Sequence, residues 1–269
     1  MTELVARRFG RWNRLGVLTL WGREVRRTLK IWPVSLGAHA LQGLLFAAIF
    51  SVILSPEAGM DAGLVTGRPD FIAFLLPGLV GSTILQRSFE ASAFSIVFDK
   101  LEGVIADIIS APLSPGEALI AYAAAAVTSA FAAGSLVWLA LQLFGLGLPP
   151  NPLTFLFFAV GGSLMVGLGA LIAGIWADKW DHLAGVQTFL FLPIVFLSGV
   201  FFSLDQLPPL GRLIAQFNPL YYVIDGIRFG LSGLGQADLT IGVAIVVTAN
   251  AFLWTACYLI LRRGYKLKS

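Results

Sequence analysis

Few side chains in this 269-residue sequence have a type and spacing that could do covalent chemistry, and those few fail on geometry. A Walker A loop needs a Gly-Lys pair, so that backbone amides and an ammonium hold phosphates together. None of Lys30, Lys100, Lys179, Lys266 or Lys268 follows a glycine. A zinc protease needs two histidines on one helix face in H-E-x-x-H, whereas His39 and His182 stand in separate segments. A serine nucleophile occurs in "LSG", Leu197 to Gly199, but a base must lie beside it and nothing singles out His182 for that role. The single cysteine, Cys257, excludes a disulfide framework or a cysteine metal site and reads as packed side chain. The remaining candidates are charges inside apolar runs: Gln86, Arg87 and Glu90. Arg87 and Glu90 are three apart, so they share a helix face and can pair. Isolated in lipid each would cost several kcal/mol, so they must face a bundle interior, a partner subunit or a water-filled path.

The elements that carry these residues belong to a membrane. The chain is 57 % hydrophobic and only 12 % charged, against roughly 45 to 50 % apolar and 25 % charged for a soluble domain. Helices are the default, because lipid cannot satisfy open sheet edges. With about 20 apolar residues per span, six spans are expected at about 33–54, 71–98, 118–143, 153–176, 183–202 and 239–261. Eight basic residues, Arg7, Arg8, Arg11, Arg14, Arg23, Arg26, Arg27 and Lys30, precede the first span, and Arg262, Arg263, Lys266 and Lys268 follow the last. Both termini are therefore expected in the cytoplasm. The loop with Glu57, Asp61, Arg68 and Asp70 then lies outside, and the segment from Asp99 to Gly116 lies inside. The arginines run past residue 25 into a run of spanning length, which weighs against a cleaved signal peptide. "AVGGSLMVGLGALIAG" and "AYAAAAVTSAFAAG" supply small residues four apart and read as close helix packing.

Three segments lie beside the spans. Residues 1–32 form an N-terminal segment in which Leu18, Trp21, Val25, Leu29 and Trp32 share one helix face while Arg23, Arg26, Arg27 and Lys30 lie well away from it. That pattern predicts an interfacial helix with its rings at the acyl boundary and its guanidinium groups on anionic headgroups. "DKLEGVIADIISAPLSP" predicts a short cytoplasmic helix at about 99–111, with Leu101, Val104, Ile105, Ile108 and Ile109 on its apolar stripe and Glu102 largely off it. Its acidic balance disfavours the negative leaflet and favours docking to a protein partner.

The third segment, "FSLDQLPPLGRLIAQFNPLYYVIDGIRFGL", is too polar to span and too apolar for a free loop. Pro208 and Pro209 start a helix with Leu210, Leu213, Ile214 and Phe217 on one face. Asn218 and Pro219 break it, and a second short helix from Leu220 to Phe229 carries Tyr221, Tyr222, Asp225 and Arg228. Two half-length helices suit a hairpin over about 207–231 that dips into the outer leaflet and returns, its apolar face buried against other helices.

These motifs carry a resemblance. "FLSGVFFSLDQLPPLGRLIAQFNPLYYVIDGIRFGL", "FIAFLLPGLVG" and "LEGVIADIISAPLSP" resemble, in order, segments of the permease subunits of type-2 ABC exporters, the group that includes drug, Nod-factor and polysaccharide export permeases. The resemblance implies an all-α, six-span type-2 transmembrane domain over 33–269, in the cell (inner) membrane, working with a second copy of itself and two separate ABC ATPase subunits. ATP and Mg²⁺ would be bound by those partners, with no cofactor, metal or catalytic residue in this chain and no nucleic-acid partner. By position, Trp21, Arg23, Arg26, Arg27 and Lys30 belong to its interface helix. Leu101, Glu102, Val104, Ile105, Ile108 and Ile109 belong to its coupling helix, and Leu213, Phe217, Asn218, Pro219, Tyr221 and Tyr222 to its external gate. Gln86, Arg87 and Glu90 are pathway or subunit-interface groups. This chain reads Phe98-Asp99-Lys100 where relatives often carry an arginine before the coupling glutamate, so no single charged contact is carried over there. The aromatic content and scarce intramembrane charge favour a lipid-like or amphipathic substrate. The alternative is a nucleotide-independent small membrane carrier or scaffold protein.

Overall fold

The computed structural model describes residues 12–53, 68–204 and 207–266, with the side chains of residues 68–70 and 109 outside that description. The expectations placed on Arg7, Arg8, Arg11, Leu54, Glu57, Asp61, the Arg68 and Asp70 side chains, the Ile109 side chain and Lys268 therefore lie outside the described residues. Regular structure among the described residues is helical throughout. In chain order it comprises α1 (Arg14–Lys30), a π turn (Pro33–Gly37) running into α2 (Ala38–Ile53), α3 (Arg68–Leu101), α4 (Ile105–Ser110), α5 (Pro115–Leu141) and α6 (Pro152–Trp176). There follow α7 (Trp180–Gly185), a second π turn (Val186–Phe191), α8 (Leu192–Phe196), α9 (Pro209–Phe217), α10 (Pro219–Ser232) and α11 (Leu239–Arg263).

Five of these helices are long and apolar enough to cross a membrane: Pro33–Ile53, Phe71–Leu101, Pro115–Phe144, Pro152–Trp176 and Leu239–Arg263. The expected fifth span, 183–202, is instead a shorter apolar helix, Trp180–Phe196, containing the second π turn. At about 1.5 Å per residue it reaches about 25 Å, less than the ~30 Å hydrocarbon core. Its helix stops because Gly199 takes φ +77° and turns the chain. The residues that follow are not left to lipid: Ser198 and Val200 are fully buried, and the Gly199 carbonyl accepts a hydrogen bond from Arg228. Irregular backbone at membrane depth is tolerated where protein encloses it in this way.

α3 is the central post. Its 34 residues pack along α5, α6 and α10, burying Leu75, Leu76, Val80, Ile84, Leu85, Ala93 and Val97. The small residues of α6 meet it closely, with Ser88 Oγ donating to the Ser163 carbonyl at 2.5 Å. α10 is buried on most sides and lies against α6 with almost no gap. A Cβ on Gly230 would fall 2.5 Å from the Phe155 backbone nitrogen, which cannot move aside. Gly230→Ala should therefore cost about 1–3 kcal/mol by overpacking, whereas Gly169→Ala, with nothing within 4 Å of the added carbon, should be neutral or slightly stabilising. Thermal denaturation of the two variants in detergent checks this contrast, and equal melting temperatures would refute the close α6–α10 approach.

Candidate functional site

α1 is amphipathic, but the bundle takes the side that the sequence pattern assigns to headgroups. Leu18, Leu29 and Trp32 are exposed, while Leu20, Glu24 and Thr28 are buried. Two of the expected headgroup cations turn inward. Arg27 donates to Asp99 at 2.9 Å and to Glu24 at 3.2 Å, and Arg23 donates to Glu24 at 2.5 Å and also to Asp99. Ser95 Oγ completes the cluster on Glu24 at 2.6 Å. Burial opposes charge on Arg23, but the carboxylates of Glu24 and Asp99 outweigh it and hold its pKa above the ordinary arginine value. Arg26 and Lys30 stay exposed, as expected of surface cations. Trp21 is half-buried and donates its indole N–H to Thr128 Oγ1 at 3.2 Å, pinning α1 to α5. The sequence pattern misplaces this helix because the two carboxylates that turn it lie on α3 and on α1's own polar side.

A second polar cluster sits one step deeper. Arg87 donates to Glu90 at 3.1 Å and to Thr28 Oγ1 at 3.0 Å, and Thr28 is also 3.2 Å from Ser129 Oγ. His39 Nε2 lies 3.6 Å from Glu90. One hydroxyl of α1 thus joins α3 and α5, and His39 ties the start of α2 to Glu90 of α3. Gln86 is not part of this cluster: it faces a crevice with Gln42, Thr83 and Phe201.

The expected helix over 99–111 is broken. α3 continues to Leu101, the chain turns at Gly103 (φ +74°), and α4 begins at Ile105. A left-handed glycine ends the first helix cheaply there. Leu101 and Glu102 are exposed, whereas Val104, Ile105 and Ile108 are half-buried. Ile105 packs against the buried cluster that contains Leu20, Leu119 and Tyr122, so part of the apolar stripe is used within the chain. Val104 and Ile108 instead line a groove of about 380 Å³ between α4 and α1, shared with Leu15, Leu20 and Leu113. The far side of this corner is fastened by Glu117, which accepts from the backbone N–H of Asn13 at 2.5 Å and of Ser114 at 2.7 Å, while the Asn13 side chain donates to the Pro112 carbonyl at 2.9 Å.

At the other end of the bundle the hairpin turns at Asn218, whose Oδ1 accepts from Leu220 N at 3.0 Å and whose Nδ2 donates to the Ile194 carbonyl at 2.7 Å. The expectation that Leu210, Leu213, Ile214 and Phe217 are buried is not met within the chain. All four are exposed, Phe217 to 81 %, and only Ala215 of α9 is buried. The buried helix is α10. Tyr221 is buried and Tyr222 half-buried, their rings edge to face at 5.2 Å. The element missing from the sequence assignment is a clamp on α10. Arg228, 1 % exposed, donates to Asp225 at 3.2 Å, to the Phe74 carbonyl at 3.1 Å and to the Gly199 carbonyl at 2.7 Å, and its guanidinium stacks 3.7 Å over the Phe74 ring. The other oxygen of Asp225 accepts from Gln236 N and Ala237 N. The same three-residue spacing that marks Arg87 and Glu90 marks this pair.

A third latch joins the ends of α3, α6 and α11. Lys266 and Lys100 donate to Asp178 at 2.7 and 3.2 Å and also bind the last carbonyls of α6. Hydrogen bonds from Lys266 and Lys100 hold the Asp178 carboxyl below the usual carboxylate range. Among the described residues no group of three or more His, Cys, Asp or Glu is placed to hold a metal ion. The arrangement suits mechanical linkage between helices. Because a buried charge left alone costs more than none, Arg87→Leu should destabilise by about 3–5 kcal/mol, and adding Glu90→Leu should restore part of that loss. A thermal-shift cycle over the four variants decides it, with additive losses counting against the pair.

Comparison with known proteins gives a consistent picture. The family described as ABC-2 type transporter matches residues 16–231. The chain is 25 % identical over 252 residues to the inner membrane transport permease YadH of Escherichia coli (strain K12), covering 93 % of this chain and 96 % of that protein. It is 27 % identical over 253 residues to Nodulation protein J of Rhizobium leguminosarum bv. viciae, covering 89 % and 95 % respectively. To Nodulation protein J of Rhizobium leguminosarum bv. trifolii it is 29 % identical over 252 residues, covering 88 % and 91 %.

Proposed function

The chain belongs to the ABC-2 type transporter family, and on that premise we propose that this multi-pass transport permease forms, with a second copy of itself, the pathway of an ATP-driven exporter. Two separate ATPase subunits power it, binding ATP and Mg²⁺ themselves. Both termini, α1 and α4 face the cytoplasm, and the α9–α10 hairpin closes the outer side. The substrate is a lipid-like amphiphile.

The observation that carries this reading is the continuity between α4 and the polar clusters. α4 leaves α3 just beyond Asp99, the residue that anchors α1 through Arg23 and Arg27. Its exit is tied to the start of α1 through Asn13 and Glu117. A push on α4 therefore moves α1 and α3 together, and Thr28 passes the displacement to Arg87 at the middle of α3. Closure of an ATPase pair would supply the push, and two discrete arrangements of these packed helices would change access.

The exposed face of the docking corner tests the partner. Ile108→Asp places a carboxylate in the α1–α4 groove, at a desolvation cost of about 1–3 kcal/mol on docking. It should leave insertion and dimer size unchanged while cutting both recovery of the ATPase partner and its stimulated hydrolysis about tenfold. Failure of the wild-type chain to recover any P-loop ATPase would favour the nucleotide-independent carrier or scaffold, and equal recovery by the variant would remove α4 from the docking surface.

The outer hairpin makes a separate prediction. Phe217→Cys in a Cys257→Ser background should react with an impermeant thiol reagent at a rate that changes when nucleotide is trapped on the partner. The background mutation removes only a buried thiol facing the Leu168 carbonyl. Labelling that is complete and indifferent to nucleotide would make the hairpin a static cap.

A further inference from the structure

Beside the Arg87 cluster lies a cleft of about 430 Å³ between α1, α3, α5 and the start of α7. One part of its wall is aromatic: Phe94 and Trp180 meet edge to face at 5.8 Å, and Phe98 carries the Arg27 guanidinium 5.1 Å over its ring. The other part is charged, with Arg27, Lys30 and Arg87 facing Glu24 and Glu90. Three cations thus face two carboxylates, and with the adjoining Arg23 and Asp99 the balance is four to three. Arg27 is spent on Glu24 and Asp99, and Arg87 holds Glu90 with one of its nitrogens. Two donors are left over. Lys30 has no ion-pair partner among the described residues. Arg87 is 7 % exposed, yet its Nε donates to nothing.

A buried guanidinium N–H without an acceptor is costly and calls for one. The net positive charge specifies its sign, and the aromatic wall specifies the rest of the molecule. We propose that this cleft takes an anionic membrane lipid, its phosphate between Lys30 and the Arg87 guanidinium and its acyl chains along Phe94, Phe98 and Trp180. Access is from the leaflet in which α1 lies. The inference deepens the pathway reading above and rests on it for the role of the lipid, since a phosphate held there bridges α1 to the middle of α3, the same two helices that α4 would move.

The test uses the full chain reconstituted in phosphatidylcholine vesicles without ATP or partner. Brominated phosphatidylglycerol or brominated phosphatidylcholine is titrated in, and the part of the tryptophan quenching that disappears in Trp180→Phe is read. The anionic lipid should reach half-quenching at a mole fraction about fivefold lower than the zwitterionic one, the discrimination expected of one cation near the surface. Lys30→Gln, a change at an exposed and unpaired side chain, should abolish most of that preference. Arg87→Gln/Glu90→Gln, which leaves no lone charge, should reduce it as well. Equal quenching by the two lipids in the wild type, or a preference untouched in both variants, overturns the site. Relief of quenching by millimolar inorganic phosphate would assign it to a free anion and overturn the lipid. The readout needs neither hydrolysis nor transport, so its failure leaves the ATP-driven pathway standing, and failure of the docking experiment leaves this measurement intact.

Discussion

The carboxylate of Asp99, almost wholly buried near the end of α3, cannot remain ionised without cations beside it. Those cations come from α1. Once Arg23 and Arg27 reach inward to Asp99 and Glu24, the rotation of α1 is fixed, Leu18, Leu29 and Trp32 are turned outward, and Thr28 is brought within reach of Arg87 and Ser129. The groove between α1 and α4 and the cleft beside Arg87 are the spaces left on either side of that contact. Removing the Asp99 charge would free α1 to rotate, and both spaces would change with it.

The opposite end of the molecule solves a different problem by the same means. The short apolar helix ends at Phe196, so the chain from Leu197 onward must be enclosed by protein and have its carbonyls satisfied. Arg228 does both, filling space against Phe74 and donating to the carbonyls of Gly199 and Phe74. Its charge is balanced by Asp225, whose second oxygen gathers the backbone of Gln236 and Ala237. One pair therefore fastens α10, the top of α3, the chain after α8 and the lead into α11. α9 is fastened through Asn218, through Arg212, which donates to the Leu204 carbonyl at 3.3 Å, and through a small cluster around Ala215, while its apolar face stays exposed.

What the sequence by itself determined follows from local rules. Apolar runs of spanning length demand helices, the Asn218-Pro219 step demands a break, and an arginine three residues from an acid demands a shared face. Five of the six expected helices have spanning length, and the hinge whose side chain caps α10 and the Arg87–Glu90 contact are both present. The Asp225–Arg228 pair obeyed the same spacing rule and was equally legible, but only burial on all sides gives it weight. What the tertiary structure alone decided are the contacts between distant segments. The face of α1 that turns inward depends on a carboxylate 76 residues away, and the anchor of its first turn depends on Glu117, 104 residues away. The fifth apolar run stops short of its expected end because Arg228, 29 residues on, satisfies the carbonyl of the glycine that turns it. An amphipathic pattern states that a helix has two faces. Which face goes inward is set by the charge that the bundle has already buried, and that charge is invisible until the fold brings it near.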